Sequence, residues 1–142
     1  MSLDAARSGH LAAQPFGLGG APLGNLFRPV TEAMAAATLA QALACGVRYF
    51  DTAPHYGQGL SETRFGHALR AVPRTDYVLS TKVGRLLEAS PDVSTDQHGY
   101  IDVPPLATRY DYSGAGFELS LADSRRRLGI GSIDFVLSDV DR

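Results

Sequence analysis

Short apolar runs alternate with segments of helical periodicity through most of this sequence, and that alternation restricts the fold more than any other feature. Residues 16–20, 47–51, 77–82 and 133–137 read as strands, and helical spacing fills 31–45, 61–69 and 116–128 between them. Strands separated by helices are parallel neighbours joined by crossovers, and such crossovers are right-handed. The expectation is an α/β fold of about four parallel β-α units, with no repeat beyond that alternation.

Local signals mark the boundaries. Thr31 can cap the first helix, whose Ala-rich interior carries an apolar stripe of Met34, Ala37, Leu39, Ala40 and Leu43, and Gly46 suits its exit. Ser61 can cap the second, with Phe65, Ala68 and Leu69 facing inward and Pro73 closing it. Phe117, Leu121, Ser124 and Leu128 recur at helical spacing, and Gly129 ends that segment. The stretch 84–113 is rich in Pro, Asp, Ser and Gly and is expected to be a functional loop or lid. Residues 1–14 read as a loose arm. The glycines of 17–24 lack the G-x-G-x-x-G and following helix of a dinucleotide fingerprint, so they read as strand and loop.

At 142 residues, 44% hydrophobic and 20% charged, the chain is in the single-domain globular range. A formal net charge of -2 without a long basic run argues against nucleic acid or an anionic membrane as partner and favours a small polar or neutral substrate. No run has the apolar length of a membrane span, residues 1–10 lack a signal-peptide core, and a cytoplasmic location is the default expectation. Cys45 is the single cysteine and is expected to be a small buried hydrophobe. His10, His67 and His98 lack metal-ligand spacing, so no metal site is expected.

The run F-D-T-A-P-H-Y-G-Q-G-L-S-E over 50–62 carries the chemistry. Asp51 ends the second strand, Tyr56 follows in a Pro- and Gly-rich loop, and Lys82 ends the third strand; if those strands are parallel neighbours, the three side chains meet at one rim. An ammonium beside a phenol lowers the phenol's pKa, and a carboxylate holds that ammonium charged, so Tyr56 would give or take a proton with Lys82 and Asp51 as its tuning pair. Taken singly, each has a plainer role: a turn Asp, a half-buried loop Tyr, a Lys leaving for solvent. Glu62 fits either a loop-fixing acceptor or a first-turn acid favoured by the helix dipole, with no catalytic role. His55, adjacent to Tyr56, is expected to point away as a surface imidazole.

With this motif, F-G-L-G-G-A-P-L-G-N-L-F from Phe16, V-L-S-T-K-V-G-R-L-L from Val78 and R-Y-D-Y-S from Arg109, the sequence resembles the aldo-keto reductases, in particular the branch that oxidises free aldoses or pyridoxal. The resemblance implies a (β/α)8 TIM barrel, of which residues 15–142 would be the N-terminal half, and NAD or NADP as cofactor. It implies a sugar or aldehyde substrate. It makes Asp51, Tyr56 and Lys82 three members of a catalytic tetrad, with Asp51 also at the cofactor. The fourth member, a strand-end His, is missing: Ser138 stands where the family has an apolar-His pair, and the His slot falls on Asp139 counting forward from Ile133 or on Ser138 counting back from Arg142. A full barrel takes roughly 250 residues. The competing expectation is therefore a truncated, inactive fragment that acts only by association with another chain, including self-association through exposed sheet edges.

Overall fold

The computed structural model describes residues 16–140, so the arm expected over 1–14 lies outside the described residues. Four strands form one sheet: β1 (Leu18–Gly19), β2 (Tyr49–Asp51), β3 (Val78–Val83) and β6 (Phe135–Ser138), all parallel and adjacent in chain order. Between β3 and β6, β4 (Arg85–Ala89) and β5 (Leu106–Tyr110) pair antiparallel as a separate hairpin. The stretch expected to be a functional loop or lid is thus built on a two-stranded ribbon, whose strands are joined by the irregular segment 90–105.

Three helices make the crossovers: α1 (Glu32–Ala44), α2 (Leu60–Leu69) and α3 (Gly114–Leu128). Because α1 packs on α2 and α2 on α3, all three lie on one face of the sheet. Strands in sequential order with every helix on one face make an arc of a (β/α) barrel, since a doubly wound sheet reverses its strand order and covers both faces. The core sits between helices and sheet, where Phe50 and Leu79 meet Leu39, Phe65, Leu69 and Leu128. Side chains alternate along each strand, which sends Tyr49, Asp51, Ser80 and Lys82 to the opposite, inner face.

The local signals fare unevenly. The Thr31 hydroxyl accepts from the Met34 amide as N-cap of α1, and Gly46 turns the chain at φ +85°. Yet α1 buries Ala35 and Leu39, while Met34, Ala37 and Ala40 are exposed, so the stripe is rotated from the expected one. An Ala-rich helix offers little contrast between faces. Ser61 is not the cap of α2: Gly59 holds that place, and Ser61 is buried, donating to the Gly20 carbonyl at 2.9 Å. On α3 the residues facing inward are Gly116, Ser120, Ser124 and Leu128, with Ser113 as N-cap. Cys45, expected to be buried, is exposed.

Buried charged side chains join the helices to one another, to β3 and to the loops. Glu62, 0% exposed, accepts from the Thr81 hydroxyl at 2.7 Å and from Arg127 Nε at 2.5 Å, joining α2, β3 and α3. Of its two expected roles Glu62 has the place in the first turn of α2, and its hydrogen-bond partners lie on β3 and α3 and not in the loop it was expected to fix. Arg64 is the other buried centre, donating to Glu32, the Leu23 and Val30 carbonyls and Asn25 Oδ1, which pins the chain leaving β1 onto α2.

Candidate active site

The β2–β3 register sets the rim. Asp51 lies opposite Ser80, so Lys82 falls one pleat further toward the C-terminal end on the same inner face. Tyr56 reaches back over that end from the β2–α2 loop. The loop is a tight structure, with Gly57 at φ +68°, Gln58 at +51° and Gly59 at +86°, and at Gly57 a Cβ would come within 2.2 Å of the Gly24 carbonyl oxygen. Only glycine allows this contact, which presses the loop bearing Tyr56 onto the turn after β1.

Asp51, Tyr56 and Lys82 are brought together. Lys82 Nζ donates to Asp51 Oδ2 at 2.9 Å, to the Thr52 carbonyl at 3.1 Å and to the Tyr56 hydroxyl oxygen at 3.0 Å. Ser80 Oγ donates to the other Asp51 oxygen at 2.6 Å and lies 3.1 Å from the Tyr49 hydroxyl. Every donor position of the ammonium has an acceptor, and both oxygens of Asp51 are engaged. Burial works against the Lys82 charge, but the hydrogen bonds to Tyr56 and Asp51 and the charge of Asp51 outweigh it and hold its pKa above the ordinary lysine value. An ammonium fixed 3.0 Å from a phenol oxygen stabilises negative charge developing there.

The far side of the mouth holds residues that the sequence did not single out. Tyr100, from the tip between β4 and β5, packs its ring 6.4 Å from that of Tyr56 and edge-on to His55 at 5.5 Å. His55 is half-buried among His98 and Tyr100 and is not a surface imidazole; the hairpin tip covers it. Arg85, the first residue of β4, forms an ion pair with Asp139 at 3.1 Å. Nothing in the spacing marks Tyr100 or Arg85, since both depend on how the hairpin folds back.

Register also orients the residues at the end of β6. Ser138 pairs with Val83 and Leu137 with Lys82, and the Asp139 amide donates to the Val83 carbonyl at 2.8 Å. By alternation Leu137 and Asp139 share the inner face with Lys82, and Ser138 falls on the other. The mouth position after β6 therefore belongs to Asp139, and an arginine–aspartate pair stands there. Among the described residues no group of His, Cys, Asp and Glu could hold a metal ion, and no helix is long and apolar enough to cross a membrane. An apolar cavity between α1 and α2, lined by Ala35, Ala36, Ala40 and Leu43 among others, includes none of the rim residues.

Known proteins resemble this chain in sequence and fold. The profile of the Aldo/keto reductase family matches residues 15–141. The chain is 42% identical to a D-threo-aldose 1-dehydrogenase from Pseudomonas sp, an alignment covering 97% of this chain and 44% of that protein. It is 39% identical to a pyridoxal 4-dehydrogenase from Microbacterium luteolum, over 93% of this chain and 41% of that one. An aldo-keto reductase from Bacillus halodurans, solved in its holo form, superposes with a TM-score of 0.65 at 31% identity, covering 87% of this chain and 35% of its own. The chain thus spans less than half the length of these relatives, with its sheet forming part of a TIM barrel. The chain belongs to the aldo/keto reductase family.

Proposed function

We propose that this chain is the proton-transfer half of an NAD(P)-dependent oxidoreductase that oxidises an aldose or reduces a related carbonyl. The observation that carries the reading is the Lys82 ammonium placed between Asp51 at 2.9 Å and the Tyr56 hydroxyl oxygen at 3.0 Å. A nicotinamide, when bound, supplies or accepts the hydride at the substrate carbon. The residues here fit that end of such a cofactor: Asp51 keeps 26% of its side chain exposed at the rim. In reduction Tyr56 gives its proton to the carbonyl oxygen, and Lys82 holds the phenolate left behind; in oxidation the phenolate takes the alcohol proton. Asp51 keeps Lys82 charged and oriented. The aldose is favoured as substrate because the relative at 42% identity is a D-threo-aldose 1-dehydrogenase.

A second reading, association with another chain, is favoured by β6. Phe135, Val136 and Leu137 are 40%, 42% and 48% exposed, so this apolar parallel strand is only partly covered on both faces. A further β-α unit would cover it. The experiment joins residues 15–142 to the C-terminal half of a family member, with an apolar-His pair placed at Ser138, and follows turnover of L-fucose, other aldoses and simple aldehydes with NAD and NADP. Saturable turnover supports the proposal. A folded, cofactor-binding chain that turns over none of them sinks it.

A further inference from the structure

Proton transfer as described does not use Tyr100, yet the chain spends many contacts placing it. The Phe27 amide donates to the Gly99 carbonyl at 2.7 Å, and the Ile101 amide to the Asn25 carbonyl at 3.0 Å. The Val103 amide donates to the Thr95 carbonyl at 2.8 Å. Gln58, two residues after Tyr56, donates through Nε2 to the Leu106 carbonyl at 2.6 Å and to Gln97 Oε1 at 3.3 Å. The hairpin tip is thereby fastened both to the turn after β1 and to the loop that carries Tyr56. At its centre Tyr100 is 5% exposed.

The need for such a fastening follows from the Tyr56 loop itself. Lys82 holds the phenol by a hydrogen bond to its oxygen and lies 4.5 Å from the centre of its ring, so both contacts come from one ammonium and leave the rest of the ring to be braced from elsewhere. The Tyr100 ring, 6.4 Å away at 32°, supplies the lateral contact. Its own hydroxyl end is set in the same field: burial first, then the charges of Tyr56 and Asp139, push the Tyr100 pKa up to about 12, with Arg85 opposing.

We propose that Tyr100 is a positioning residue for Tyr56, its ring fixing the orientation in which the Tyr56 hydroxyl meets Lys82. The inference rests on the proton-transfer reading for its purpose, while the contact itself can be tested without catalysis.

The test uses the 142-residue chain with tyrosine ring carbons labelled for NMR. Tyr77, 4% exposed in the core between helices and sheet, is the folding control. Tyr100→Leu is expected to move the Tyr56 ring resonances and leave those of Tyr77 in place, and Tyr100→Phe is expected to bring the Tyr56 signals back toward the parent values. An unmoved Tyr56 in a folded Tyr100→Leu variant overturns the proposal. If Tyr100→Leu loses the Tyr77 signal and does not fold, the parent chain decides: ring-to-ring cross-relaxation between Tyr56 and Tyr100 supports the proposal, and its absence overturns it. In the chain joined to a family C-terminal half, Tyr100→Leu should lower kcat about tenfold or more with KM little changed, a displacement of the proton donor by 1 Å sufficing for roughly a hundredfold. Recovery of most of that loss in Tyr100→Phe separates ring packing from hydroxyl chemistry. Unchanged kcat in the Leu variant overturns the proposal. A joined parent chain that shows no turnover removes the functional reading and leaves the NMR result to judge the contact alone.

Discussion

Replacing Glu62 by Ala should unfold the chain more easily than any surface substitution. The carboxylate is fully buried and takes hydrogen bonds from Thr81 and Arg127, so its removal leaves a buried hydroxyl without an acceptor and a guanidinium without its counter-charge. Breaking a buried pair from one side costs about 3–5 kcal/mol. Arg127 keeps 20% of its side chain exposed and can turn part of its charge to water, which places the expectation at the lower end, about 3 kcal/mol. At about 2.1 cal/mol/K per residue the unfolding entropy of a chain this size is roughly 300 cal/mol/K, so the loss corresponds to a fall of about 10 °C in Tm. Glu62→Gln keeps an acceptor for one partner and should lose about half as much. Urea unfolding of the parent, Glu62→Ala, Arg127→Ala and the double variant gives the coupling directly, expected at about 1.5–3 kcal/mol. A Glu62→Ala loss below about 1 kcal/mol, with coupling near zero, would refute the reasoning, because the dipole of α2 alone offers a first-turn acid no more than that.

The Lys82 pKa is raised in the fold, so its stabilising contribution is complete below the unfolded lysine value of about 10.4 and disappears as pH rises through the folded value. The stability lost in Lys82→Met should accordingly be larger at pH 8 than at pH 11, and urea unfolding at both pH values checks it. Gly57→Ala, at φ +68° and with its Cβ aimed into the Gly24 carbonyl, should cost about 2 kcal/mol or more in the same assay. The 142-residue chain alone is expected to show no turnover of L-fucose with NAD or NADP, as its described residues form four parallel strands of a barrel that takes eight; saturable turnover would contradict this.

How far the sequence reached depended on how local the cause was. A strand's period of two places Asp51 and Lys82 on one face once β2 and β3 are parallel neighbours, so the rim was readable from Val47 to Lys82. Thr31 and Gly46 act within a few residues of where they stand, and both hold. What escaped was long-range. Glu62 with Arg127 is a contact across 65 residues, and Arg74, which binds the Asp134 carboxylate, reaches across 60. The hairpin of β4 and β5 was hidden because its strands flank a Pro- and Asp-rich tip, and with it went Tyr100 and the Arg85–Asp139 pair. Alanine hid the buried face of α1, since Ala35 and Ala37 read alike until one of them meets the core.

The measurement that bears most directly on the proton-transfer claim is the turnover of Tyr56→Phe in the chain joined to a family C-terminal half. The substitution removes one oxygen, leaves the Asp51–Lys82 pair at the rim, and deletes the only proton the account assigns to the substrate oxygen. General acid–base catalysis contributes about a hundredfold to ten-thousandfold, so kcat should fall by that range while NADPH binding, followed by its fluorescence, stays within about twofold. A Phe variant that keeps near-parental kcat would show that Tyr56 is not the proton donor, whatever the distance to Lys82.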